Sequence, residues 1–168
     1  MVDINLNRLT ATNYRLALPL IPTETAINAT ESIILNIFGT IVPSIALDET
    51  EQRWQGAKMK FHSGGITFNE WPVSFIVDSK MHNWITLYKW VIYVNNNYNI
   101  PTKKVSDYMI DASLSITDNY EKEVARVAFK NIWVQNLGEI TLSQREGDVT
   151  MESSATFLYD RFEITESV

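Results

Sequence analysis

A chain of 168 residues, 45% apolar and 20% charged, has the composition of a single folded domain and is too apolar for a disordered one. Its formal net charge of −6 argues against a protein that grips nucleic acid through clustered Lys and Arg, and Lys103-Lys104 is the only adjacent basic pair. The absence of cysteine excludes a disulfide framework, a thiolate zinc site and a cysteine nucleophile.

Residues 1-13 have no convincing period and read as an N-terminal arm of the domain. MVDINLNRLT lacks the basic region and apolar run of a secretion signal, and no stretch approaches the ~18 apolar residues of a membrane span. A protein made and assembled in the cytoplasm, without membrane binding, is therefore expected. Tyr14 to Leu20 starts the β pattern, with Tyr14, Leu16 and Leu18 on one side and Pro19 and Pro22 restricting it to an edge. Ile33 to Phe38 and Ile41 to Leu47 follow as two apolar β segments around Gly39. The acidic run over residues 48-56 reads as a loop carrying Arg53 and Trp54. In 56-65, Lys58, Lys60 and His62 alternate with Met59 and Phe61 as in a half-exposed strand. Gly64-Gly65 signals a turn, and Ile66 to Val77 a further strand in which Pro72 marks an edge or a bulge.

One helix is expected, capped by Asp78 or Ser79 and running to Val94 or Asn95, with Met81, Trp84, Leu87, Tyr88, Val91 and Val94 as its apolar stripe. From Asp107 the chain reads as β. Asp111, Ser113, Ser115 and Thr117 alternate with Ala112, Leu114 and Ile116, then turn at Asp118-Asn119 into Val124 to Val134. A second hairpin is expected from Glu139 to Gln144, through 146-148, into Val149 to Ile164. About eight strands and one helix predict a mainly β, antiparallel sandwich or barrel flanked by the helix.

Chemical motifs are missing. His62 and His82 stand in no metal-ligand or triad spacing, and there is no nucleophile elbow, P-loop or dinucleotide fingerprint, so neither an enzyme nor a cofactor is expected. Asp48, Glu49 and Glu51 could offer carboxylates to calcium, but their spacing matches no EF-hand and a solvated loop is the plainer reading. Asn28-Ala29-Thr30 matches a glycosylation sequon without a secretion context. Trp84 and Trp90 read as packing residues.

Three stretches in order carry a resemblance. FNEWPVSFIVD (68-78) leads into a helix ending in LYKW (87-90); FKNIWVQNLGEITL spans 129-142; the aromatic, acidic finish is ATFLYDRFEI (155-164). Together they resemble the tail tube proteins of contractile phages, related in fold to pyocin tubes and to the tube protein of type VI secretion. Val134 departs from the family, which often has proline there, and residues 21-32 form a longer linker than usual.

The resemblance implies a structural virion protein. Two packed β-sheets would join side by side into a six-fold ring with one closed barrel around the lumen. Rings would stack head to tail, inside a contractile sheath, as a conduit through which DNA passes without specific binding. The implied partners are further copies of the chain, the sheath protein, and baseplate, tube-initiator and tail-terminator proteins. Asp48, Glu49, Glu51, Arg53 and Trp54, with the arm 1-13, are the candidates for contact with an adjacent subunit. Lys80, His82, Asn83 and Lys89 are the candidates for the sheath-facing side. The row Asp111, Ser113, Ser115 and Thr117 is the lumen candidate, and an ordinary solvated outer strand fits its pattern equally well. A ring-forming initiator or baseplate-hub paralogue of the same fold, and a β-sandwich binding module, remain as alternatives.

Overall fold

The computed structural model describes residues 9-19, 21-22, 33-34, 36-98, 100, 104, 107-142 and 150-166. In chain order the strands are β1 (Tyr14–Ala17), β2 (Ile37–Thr40), β3 (Ile45–Trp54), β4 (Ala57–Phe68) and β5 (Trp71–Ile76). Helix α1 (His82–Tyr98) precedes β6 (Ile110–Thr117), β7 (Glu123–Leu137), β8 (Glu152–Leu158) and β9 (Arg161–Glu166). Every pairing is antiparallel. The main sheet runs β1-β6-β7-β8-β5-β2 with β9 also on β7, while β3 and β4 form a separate two-stranded sheet.

Strand β7 holds the architecture together. Its first part pairs with β6 on one edge and β9 on the other, and its last part pairs with β8. The change of partner falls at Asn131, whose backbone is left-handed (φ 55), a conformation asparagine tolerates better than most residues. That bend folds one half of the sheet over the other. Trp71 of β5 stacks on Phe129 of β7 at 4.1 Å, and Phe157 of β8 lies 5.4 Å from Trp71. Phe68, Tyr159 and Phe162 continue the cluster in edge-on contacts. Aromatic pairs in these geometries contribute about 0.5–1.5 kcal/mol beyond the area they bury. These residues come from the three stretches that carried the resemblance, so what that resemblance recorded is the core.

Several expected elements differ. Ile33 and Ile34 are helical, and the strand begins only at Ile37. Residues 41-44 lie outside the ladder, with β3 starting at Ile45. Pro72 is tolerated within an internal strand because it sits near the start of β5, beyond the last β2 pair at Val73. Glu139 to Leu142 form no strand, and residues 143-149 of the expected second hairpin lie outside the described residues. The expected closing strand is interrupted at Tyr159-Asp160, which gives β8 and β9 different parts of β7 to pair with.

The helix starts and ends later than its pattern suggests. Asp78 does act as the cap: its carboxylate accepts the backbone N–H groups of Lys80, His82 and Asn83 at 3.1, 2.7 and 3.3 Å. The asparagine run does not end the helix, because Asn97 Nδ2 donates to the Tyr93 carbonyl at 2.7 Å from within the last turns. The buried face is Asn83, Thr86, Leu87, Trp90 and Asn97. Of the expected stripe, Leu87 is buried, Met81, Trp84, Val91 and Val94 are only partly buried, and Tyr88 is exposed. Trp90 anchors the helix, donating from Nε1 to the Tyr108 carbonyl at 2.9 Å and lying 6.1 Å from Phe157.

Candidate assembly surfaces

The region read as a loop over residues 48-56 is a long β-hairpin. Asp and Glu are poor strand formers, but cross-strand ion pairs compensate: Glu49 meets Lys60 at 2.6 Å and Glu51 meets Lys58 at 3.2 Å. The turn is Gln55-Gly56, both at positive φ (49 and 85), the backbone that a tight two-residue hairpin demands. Gly64-Gly65 is no turn but a bulge within β4, where the register with β3 shifts between Leu47 and Glu49. Gly64 has φ 84, and a Cβ at Gly65 would collide with the Asp48 carboxylate. Asp48 accepts the Thr67 hydroxyl at 3.0 Å, so the three acids once weighed as calcium ligands each have a protein partner.

Register sorts the hairpin's side chains. Directly opposed residues share a face, so Glu49–His62, Glu51–Lys60 and Arg53–Lys58 make a charged face near the tip. The opposite face carries Thr50–Phe61, Gln52–Met59 and Trp54–Ala57. Closer to the sheet, Leu47–Ile66 and Ile45–Phe68 form a second apolar patch. Trp54 is 67% exposed, Leu47 65% and Phe61 48%. A two-stranded ribbon is marginal by itself in water, and this one leaves apolar groups on both faces uncovered.

The outward face of β1-β6-β7-β9 holds the lumen candidates. Arg15, Ser115, Arg126 and Thr165 line one row across the four strands; Ala17, Ser113, Ala128 and Glu163 line the next. The intervening residues Leu16, Leu114, Val127 and Phe129 are buried on the core side. Ser115 donates its hydroxyl to Glu123 at 2.7 Å, and Asp111 pairs with Lys130 at 2.6 Å while accepting the Asn131 N–H at 3.1 Å. The hydrogen bond from Lys130 is the main influence holding the Asp111 carboxyl below its usual range. Thr117 does not belong to this row: it is 8% exposed, because the register shifts between Ile116 and Thr117 and breaks the alternation. Nor is Asp111 a bare negative charge, since Lys130 neutralises it.

Lys80, in the turn before the helix, is exposed, and His82 and Lys89 on the helix are partly so. Asn83 is fully buried, which corrects its expected outward placement. Its amide donates to the Ile76 carbonyl at 2.8 Å and accepts the backbone N–H groups of Asp78 at 3.2 Å and Trp84 at 2.8 Å, fastening the helix start to β5. The outward side instead presents Tyr88, 49% exposed and stacked on Trp84 at 5.8 Å, with Ile92 one turn on. Of the expected N-terminal arm, residues 1-8 lie outside the described residues; Asn13 is tied to the β6–β7 turn through the Asp118 carbonyl and the Asn119 side chain. The apolar cleft beside the helix end, lined by Val94, Tyr98, Tyr108, Met109 and Trp133, gathers no carboxylate, histidine, lysine or serine.

A family model described as phage tail tube protein matches residues 1–165. The chain belongs to the phage tail tube protein family. No curated protein matches the sequence. Among solved structures, a chain of the anti-feeding prophage cap, described as a tube-terminating cap, is similar at TM-score 0.62 and 13% identity, over 95% of this chain and 92% of that one. A chain of the sheath–tube complex of an extracellular contractile injection system in its extended state is similar at TM-score 0.56 and 12% identity, over 95% and 93%. A type six secretion system protein is similar at TM-score 0.51 and 10% identity, over 92% and 83%. At these identities the likeness is one of fold, and it matches the β-rich, single-helix architecture expected from the sequence. Tail tube proteins are structural components of tails, not enzymes. The surfaces available for that role are the hairpin, the four-strand face and the outer side of the helix. Sequence reasoning missed Met59, Phe61, Leu47 and Ile66 as surface residues of the hairpin; the alternation of Lys58, Lys60 and His62 with Met59 and Phe61 was the signal available for the first two.

Proposed function

We propose that the chain is the repeating subunit of a tail tube, forming six-fold rings that stack into a channel for DNA within a contractile sheath. The observation that carries this reading is the β3–β4 hairpin, a 10-residue and a 12-residue strand with apolar side chains uncovered on both faces. A second copy in an adjacent ring would cover them, through Trp54, Met59 and Phe61 at the tip, with Arg53, Asp48 and the ion-paired Glu49 and Glu51 at the rim.

Ring closure finds support in topology. β1, β6, β7 and β9 alternate in direction, and the outer edges of β1 and β9 carry no further strand among the described residues. With an even number of alternating strands, β9 of one copy runs antiparallel to β1 of a rotated neighbour. The ladder can then continue around a ring without a parallel junction, leaving no open edge. In such a barrel the face bearing Asp111, Ser113 and Ser115 turns to the lumen. The helix side, with Lys80, His82 and Lys89 around Tyr88, would meet the sheath, while baseplate and terminator proteins would cap the stack, the whole being assembled in the host cytoplasm and carried in the virion.

The likeness to a tube-terminating cap chain also favours a second reading, a ring-forming terminal or initiator paralogue. Arg53→Ala with Trp54→Ala tests the stacking contact. The double mutant is expected to melt like the wild type yet give few or no tubes; wild-type tube yield would count against the hairpin as the joint.

A further inference from the structure

Six ion pairs occur among the described residues, and four of them lie on the face formed by β1, β6, β7 and β9 or at its bordering turn. Arg15 pairs with Glu121 at 2.8 Å, Arg126 with Glu123 at 2.9 Å, Lys130 with Asp111 at 2.6 Å and Arg161 with Glu163 at 3.1 Å. These four cations are all the basic side chains that the strands of this face carry, and each has its own carboxylate. By contrast, Lys80 just before the helix and Lys89 on it have no ion pair among the described residues.

Such exposed pairs contribute little to folding, since their side chains are 28–79% accessible and water screens them. Their effect is on the field. A guanidinium held against a carboxylate presents a dipole, whose reach beyond the ~8 Å Debye length is negligible. A phosphate could engage one of these cations only by displacing the carboxylate already there. The four Lys and Arg side chains on the strands of this face then offer no free site for the counterion-releasing contacts that supply sequence-independent affinity for DNA, and Lys122 at the bordering turn is left without an ion pair among the described residues.

We propose that this face is a charge-masked wall: its cations are held by carboxylates of the same subunit so that a DNA duplex passing over it is neither gripped nor strongly repelled. The masking stands on the ion pairs themselves; only its use in a channel rests on the proposed function. Removing the carboxylates should expose a latent polyanion-binding surface.

The test uses the soluble full-length chain and a short fluorescent DNA duplex, with anisotropy read across a salt series. The triple variant Asp111→Asn/Glu123→Gln/Glu163→Gln is compared with the charge-matched variant Glu70→Gln/Glu139→Gln/Glu152→Gln, which breaks no ion pair among the described residues. The masking variant should bind at least ~10-fold more tightly than the control at low salt, with a salt slope that grows by about 0.9 for each cation freed. Adding Arg126→Gln, Lys130→Gln and Arg161→Gln should cancel the gain. Equal binding by the two triple variants, or a wild type that already binds with a slope of several, would overturn the proposal. Should the triple variant not fold, Glu163→Gln alone, on an exposed edge strand, carries the same test with a slope change of about one. In assembled tubes, the masking variant should shield bound duplex from a nuclease too large for the channel. Bound duplex that is still digested would uphold the masking and remove this face from the channel.

Discussion

Gly138 has no room for a side chain. A Cβ there would lie 2.7 Å from the Ser154 hydroxyl and, more seriously, 2.8 Å from the Ser154 carbonyl oxygen, which is backbone and cannot swing aside. The closeness is used: Gly138 N–H donates to that carbonyl at 2.6 Å, and the Gly138 carbonyl accepts from Trp84 Nε1 at 3.2 Å and the Ser153 hydroxyl at 3.1 Å. One residue thus ties the end of β7 to β8 and to the helix. Gly138→Ala should lower stability by about 1–3 kcal/mol through overpacking, read as a shifted denaturant midpoint. Ser154→Ala should not rescue it, because the carbonyl remains. An unchanged midpoint in Gly138→Ala would mean that β8 can retreat at little cost. In the sequence the glycine lies within the FKNIWVQNLGEITL stretch that carries the resemblance, but its reason depends on a strand that is distant in sequence.

At the scale of elements, the helix separates two kinds of apolar residue. Trp90 is fully buried and hydrogen-bonded, Trp84 is partly buried, and Tyr88 is half exposed. Trp90→Ala should therefore cost about 3–5 kcal/mol, while Tyr88→Ala stays within the ~0.5 kcal/mol typical of surface changes. Comparable melting curves for the two variants would refute the assigned faces. Periodicity alone rotated this helix because three polar residues, Asn83, Thr86 and Asn97, occupy its buried side. Each satisfies its polar group on the backbone, with Thr86 bonding the His82 carbonyl at 2.7 Å. Hydropathy counts such residues as outward, and a partner several residues away is invisible to it. The strands of the main sheet were legible for the opposite reason: β6 and the first part of β7 bury one side and expose the other, so alternation marks them. The stretch 48-54 of β3 reads as a loop because neither face of the hairpin is buried in the subunit, and its apolar and charged residues change faces along its length. A strand that awaits a partner lacks the simple alternation of one packed against its own core.

For the whole molecule, the central claim is that the uncovered hairpin and the edges of β1 and β9, which carry no further strand among the described residues, are completed by further copies of the same chain. The same logic explains why the candidate surfaces were only partly readable. The segment supplying Asp111, Ser113 and Ser115 was identifiable by its alternation, whereas the pairing of Asp111 with Lys130 and of Ser115 with Glu123 arises from strand register, which composition does not encode. The loss of Thr117 from that row likewise follows from a one-residue irregularity. Electron microscopy of the purified full-length protein tests the claim most directly. Six-fold rings stacked into tubes, with density for the β3–β4 hairpin bridging adjacent rings, is the predicted result. A protein that stays monomeric at high concentration, or rings whose hairpins point into solvent without touching a neighbouring ring, would contradict the account.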